Sequence, residues 1–136
     1  MKTKFTGALE RQIENLAQRV IGAAIELHKD LGPGLLESAY KQALSHELGL
    51  QKIPHTCEAI YPIIYKSKTI EQGYSIDILV DERIILELKA VEKLTPKHKA
   101  QLLTHMKFWE CKLGFLLNFN EVTLVKGLER VIRTEF

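Results

Sequence analysis

The chain has 136 residues, with 19 Lys and Arg against 17 Asp and Glu for a net charge of +2, and 46% hydrophobic residues. This is an ordinary globular composition at the size of one domain, which excludes disordered, collagen-like and coiled-coil chains and leaves no room for two sizeable cores. No apolar run approaches the roughly 18 residues of a membrane span, and the opening MKTKFTGALERQ carries charges where a signal peptide needs an apolar stretch, so one cytoplasmic domain over residues 1–136 is expected. Cys57 and Cys111 share no metal-ligand spacing with each other or with the five histidines, and both read as structural thiols.

Apolar residues at 9, 13, 16, 20, 24, 27 and 31 recur at three- and four-residue intervals, one face of a helix from Leu9 to Leu31. Gly32-Pro33-Gly34 ends it, because glycine accepts the left-handed cap and proline cannot continue the ladder. A second helix is predicted over residues 35–48, with Gly49 as its stop. Residues 53–90 turn to β-branched and aromatic side chains with a period near two. They predict strands at Ala59–Tyr65, with Pro62 marking an edge or irregularity, at Tyr74–Val80 and at Arg83–Lys89. Thr95-Pro96 caps a helix reaching about Cys111, GFLLNF reads as a buried strand, and Val122–Ile132 supplies one or two short strands. The order is α-α-β-β-β-α-β-β.

The chemistry concentrates in YSIDILVDERIILELKA, residues 74–90, where three ionisable groups interrupt apolar strands. A turn over residues 81–83 sets Asp77 opposite Glu87, and the strand period puts Lys89 on the face of Glu87. Ile76, Ile78 and Val80 would then share the other face with Ile84, Leu86 and Leu88. Two carboxylates held together in a half-buried sheet repel unless a cation or a shared proton joins them. Oxygen ligands suit Mg2+ or Mn2+, and the lysine could orient a water or stabilise charge developing on phosphate. The same three residues also fit a salt bridge on a solvated sheet face.

Asp77 followed by Glu87-Leu88-Lys89 resembles the D…(D/E)xK signature of the PD-(D/E)xK nuclease superfamily. Upstream, Gly34-Leu35-Leu36-Glu37-Ser38-Ala39-Tyr40 is similar to the G-x-x-E-x-x-Y motif of the GxxExxY family assigned to that superfamily. The blocks HKDLGPGLLESAY, GYSIDILV, ILELKAVEKL, AQLL and LGFLLNF resemble that family's blocks in order and spacing, over most of the chain. The resemblance implies an α/β, restriction-endonuclease-like mixed sheet flanked by helices. It implies that Asp77, Glu87 and the Leu88 carbonyl hold Mg2+ or Mn2+ and that Lys89 positions the attacking water. By the same carry-over, Glu37 adds an acidic ligand and Gln101 matches a glutamine on the helix after the lysine. Ile76 stands where the superfamily's name has proline, and His105 where an aromatic residue is expected.

The other candidates have plainer readings. Glu37 suits a helix's first turn and Tyr40 suits a core; His28 suits a cap or packing; His46, His55 and His98 share no useful spacing. Trp109, Phe108 and Met106 read as core rather than as a base-stacking platform. Between Lys89 and Lys112 stand six lysines and two glutamates, a stripe able to face phosphates or simply water. The expected function is metal-dependent hydrolysis of nucleic acid, DNA in preference to RNA, with a dimer or a protein partner available to supply specificity. The alternative is a non-catalytic module binding nucleic acid or protein on the same fold.

Overall fold

A computed structural model describes residues 7–136, with side chains from Glu10 onward. Helix α1, Gly7–Leu31, buries the expected face through Ile13, Val20 and Ala24, joined by Ala17 and Ala23, whereas Leu31 is left exposed. Residues 1–6 and the Leu9 side chain, on which parts of that expectation fall, lie outside the described residues. The helix ends where predicted: the Gly32 amide donates to the His28 carbonyl at 2.8 Å, and Gly32 and Gly34 adopt φ of 72° and 103°, which a Cβ would oppose.

Helix α2, Glu37–Leu50, runs through Gly49 rather than stopping there, and is capped at Gln51. Tyr40 fastens the link between the two helices. Its hydroxyl donates to the Gly32 carbonyl at 2.5 Å and accepts the Leu35 amide at 3.1 Å, while its ring stacks on Phe119 at 4.6 Å. The motif's tyrosine therefore takes the core role. Tyr40→Phe keeps the stack but strands two backbone groups, so urea unfolding should register a loss of about 1–3 kcal/mol. An unchanged midpoint would show that the link holds without the hydroxyl.

Strands β1, His55–Tyr65, and β2, Lys68–Val80, form a longer hairpin than expected. Its turn is Lys66-Ser67, both at positive φ (47° and 70°), the geometry of a two-residue hairpin loop but without the usual Asn or Gly to announce it. Pro62 lies on the edge strand where the β1–β2 register shifts, between Tyr61 and Ile63, as its presence predicted. A second tight turn at Asp81-Glu82, φ 50° and 60°, leads into β3, Ile84–Lys89. The pairs Ile78↔Leu86, Leu79↔Ile85 and Val80↔Ile84 confirm the predicted β2–β3 register.

From β3 the chain crosses through α3, Pro96–Trp109, to β4, Leu113–Asn118, which lies parallel to β3 as such a crossover permits. A 3-10 turn over Leu124–Gly127 precedes one strand, β5, Leu128–Ile132, antiparallel to β4. The sheet order is β1-β2-β3-β4-β5, and the order of helices and strands is the predicted one. Helices α1 and α2 pack on one face and α3 on the other. At Gly114 a Cβ would fall 2.9 Å from Met106 Sδ and 3.0 Å from Leu102, so this glycine lets α3 lie close to the sheet. Among the described residues no helix is long and apolar enough to cross a membrane.

One placement corrects the alternation expected on β2. Ile78, Val80, Ile84, Leu86 and Leu88 all join α1 and α2, but Ile76 packs with Leu79, Ile85, Leu102 and Met106 on the α3 side. The alternation breaks at Asp77, beside Glu58 of β1 with its φ of 49° and just where the β2–β3 ladder ends. A left-handed residue rotates the strand locally, so its neighbours no longer follow a strict period of two.

Candidate active site

Beyond Ile78↔Leu86 the two central strands part, and Asp77 fills the fork. Its Oδ2 accepts the Leu88 amide at 2.9 Å, taking the place of a backbone partner, and its Oδ1 receives Lys41 Nζ of α2 at 3.3 Å. A strand residue directs its N–H and C=O to the same side. The Lys89 carbonyl accepts Phe119 N–H at 2.9 Å on the β4 side, so the Leu88 carbonyl points into the fork with Asp77.

Glu87 and Lys89 alternate to the α3 face. Glu87 is only 2% exposed, and its Oε2 lies 3.0 Å from His105 Nδ1. Burial raises the Glu87 pKa above the ordinary value, the His105 hydrogen bond opposes this, and the Asp77 charge adds to it. Lys89 Nζ donates to Gln101 Oε1 at 3.1 Å. The ladder ends one pair short of the expected Asp77–Glu87 pairing, and the two carboxylates hold different partners, Asp77 taking Lys41 of α2 and Glu87 taking His105 of α3. Among the described residues, no three His, Cys, Asp or Glu side chains gather into a metal-binding set. Glu37 opens α2 one turn before Lys41. Burial pulls the Lys41 ammonium down, but Asp77, Glu58 and Glu37 together outweigh it and hold the pKa above its usual range.

Two partners escaped the sequence reading. Lys41 follows Glu37 by one helical turn, a spacing that could have flagged it once Glu37 was of interest. His105 is read above as an atypical substitute for an aromatic residue; its buried bond to Glu87 gives it a definite task. Asn118 is also new: fully buried, it accepts Val91 N–H at 3.1 Å and donates to the Val91 carbonyl at 2.9 Å, fixing the loop that leaves Lys89. A lone amide in GFLLNF was the available signal. His98 receives the Thr95 amide on Nδ1 at 3.0 Å and so helps begin α3.

His28 has the packing role, buried with Nε2 3.0 Å from the Phe119 carbonyl. Cys111 is structural, its thiol 2.7 Å from the Arg83 carbonyl and pushed up to about 11 by burial. The expected core trio divides: Met106 is fully buried, Trp109 is half-buried, and Phe108 is 44% exposed. The lysine stripe divides too. Lys99 pairs with Glu129 of β5 at 3.3 Å, while Lys97 lies on another side of α3.

The family model described as PD-(D/E)XK nuclease superfamily matches residues 14–131. The chain belongs to the PD-(D/E)XK nuclease superfamily. No curated protein and no solved structure matches it significantly. The five-stranded mixed sheet between helical layers is consistent with the nuclease fold. PD-(D/E)XK proteins usually hydrolyse phosphodiester bonds and generally use divalent metals, which makes a nuclease the coarse functional reading.

Proposed function

We propose that this chain is a single-domain, Mg2+- or Mn2+-dependent nuclease acting on DNA, of the GxxExxY type within its superfamily. The observation that carries this reading is the fork itself. Asp77 displaces a backbone partner to take the Leu88 amide, which brings its carboxylate and the Leu88 carbonyl into the fork, near enough to Glu87 for the Asp77 charge to help raise the Glu87 pKa. These are oxygen donors only, a set suited to a hard divalent ion completed by water. In this reading Asp77, Glu87 and the Leu88 carbonyl hold the ion, and Glu37 reaches the site through water beside Lys41. Such an ion supplies Lewis-acid polarisation and a more acidic bound water.

The chain's own groups do the remaining work. Lys89, kept in place by Gln101, presents an ammonium to the attacking water or to the phosphate oxygens as charge develops there. His105 orients the Glu87 carboxylate, and Lys41 offsets the Asp77 charge before substrate arrives. A second reading is favoured by these same pairs: Asp77 with Lys41 and Glu87 with His105 are already satisfied, as a non-catalytic binding module would need.

Purified protein incubated with labelled single-stranded, duplex and branched DNA and with RNA separates the two. Cleavage in Mg2+ or Mn2+, absent in Ca2+ or chelator, is the expected result. No cleavage of any substrate, together with no metal binding by calorimetry, would leave the binding module.

A further inference from the structure

Along α3, Lys97, Gln101, Thr104 and Phe108 recur at intervals of four, three and four, and all four are exposed. That spacing makes one side of the helix, about 16 Å long. It is not the packing side, which is carried by Leu102, His105 and Met106. Its two ends differ in chemistry: Lys97 offers a cation, and Phe108 an aromatic ring. Between them, Gln101 holds Lys89.

Phe108 is not isolated from the site. Its ring stacks on Tyr74 with centroids 5.6 Å apart at 28°, and Tyr74 lies 5.4 Å from the His105 ring that holds Glu87. Tyr61 braces Tyr74 from 5.5 Å and itself leans on Trp109 at 4.5 Å. The exposed ring thus stands on a fixed aromatic base instead of on a mobile side chain, and Tyr74 and His105 link it to the proposed catalytic carboxylate. A cation that takes a phosphate, followed by a ring that takes a base, is how proteins hold single strands, since any base offers a π-face once it leaves the duplex stack. A paired base has both faces covered by its neighbours and cannot use the ring.

We infer that this side of α3 is a track for single-stranded DNA, in which Phe108 stacks an unpaired base beside Glu87 and Lys89, so that single-stranded or locally unpaired DNA is the preferred substrate. The inference rests on the nuclease reading only for the statement that this DNA is then cut.

Binding is measured in chelator by fluorescence anisotropy, with a labelled oligo-dT and a labelled blunt-ended GC duplex as probes. Phe108→Ala and Phe108→Leu should each weaken oligo-dT binding at least about fivefold and duplex binding less than about twofold, while Phe108→Trp preserves the oligo-dT affinity. Leu retains apolar cover over Tyr74, so it carries the test if the alanine variant melts early. Lys97→Ala should weaken both probes and flatten the salt dependence. Equal changes on the two probes, or none, would overturn the track, as would a wild type that binds neither. Cleavage in Mg2+ is scored separately. Cleavage with no Phe108 effect removes the track and leaves the nuclease reading; Phe108-dependent binding without cleavage removes the nuclease reading and keeps the track.

Discussion

Lys89→Ala is expected to lower DNA cleavage by about 100- to 10,000-fold, the range for losing a positioned group that handles proton or charge at the reacting centre. Metal binding should survive, because Asp77, Glu87 and the Leu88 carbonyl are untouched. Single-turnover cleavage and Mn2+ calorimetry on the same sample read the two effects apart. Lys89→Arg should rescue little: the planar guanidinium cannot replace a compact ammonium held by one bond to Gln101 at 3.1 Å. Asp77→Asn is the matching change on the other side of the fork. It keeps an acceptor for the Leu88 amide but gives up the charge facing Lys41, so both cleavage and Mn2+ affinity should fall. Cleavage at the wild-type rate in Lys89→Ala and Asp77→Asn alike would place the reaction in a contaminant or elsewhere on the surface.

The β2–β3 register could be read from the sequence because short-range chemistry determined it. A tight turn after Val80 leaves one pairing that matches Ile78 and Val80 with Ile84 and Leu86 on the α1–α2 face and Leu79 with Ile85 on the α3 face, and a slip of one residue would turn one strand's set against the other's. The α1 stop was legible for a similar reason, since Gly32 and Gly34 take backbone angles that other residues resist. The hairpin's reach was not legible, because Lys66-Ser67 adopts a glycine-like geometry without a glycine. Ile76 was misplaced for the related reason that Glu58, on a different strand, carries the left-handed backbone beside the break.

At the site, the acidic and basic residues of β2 and β3 could be found in sequence, but their partners could not. Lys41 and His105 lie 36 and 18 residues from the carboxylates they hold, on helices whose orientation follows from the packing of the whole sheet. Phe108 shows the converse limit. It is as apolar as its neighbours Met106, fully buried, and Trp109, half-buried, but α3 packs through Leu102, His105 and Met106, which leaves Phe108 outward. The lysines likewise count as a stripe in sequence and separate around the helix in space, so that Lys97 and Lys99 serve different surfaces.

Glu87→Gln should make the metal-free protein more stable while abolishing cleavage. Burial holds the Glu87 pKa above its ordinary value of 4.5 in the folded state, with Asp77 adding to the rise and the His105 bond only opposing it. A raised folded pKa means that the group's favourable contribution is present below the unfolded pKa and is lost as pH rises through the folded value. Above the unfolded value the wild type therefore loses stability, whereas glutamine still accepts from His105 Nδ1 without a charge to desolvate. In chelator, thermal melts should place the glutamine variant above wild type at pH 7, with the gap closing as pH falls below the usual carboxylate range. Added Mn2+ should raise the wild-type midpoint by mass action and leave the variant nearly unmoved. A glutamine variant that melts below wild type at pH 7 would show that the His105 interaction outweighs burial. A variant that Mn2+ stabilises as well as wild type would remove Glu87 from the metal site.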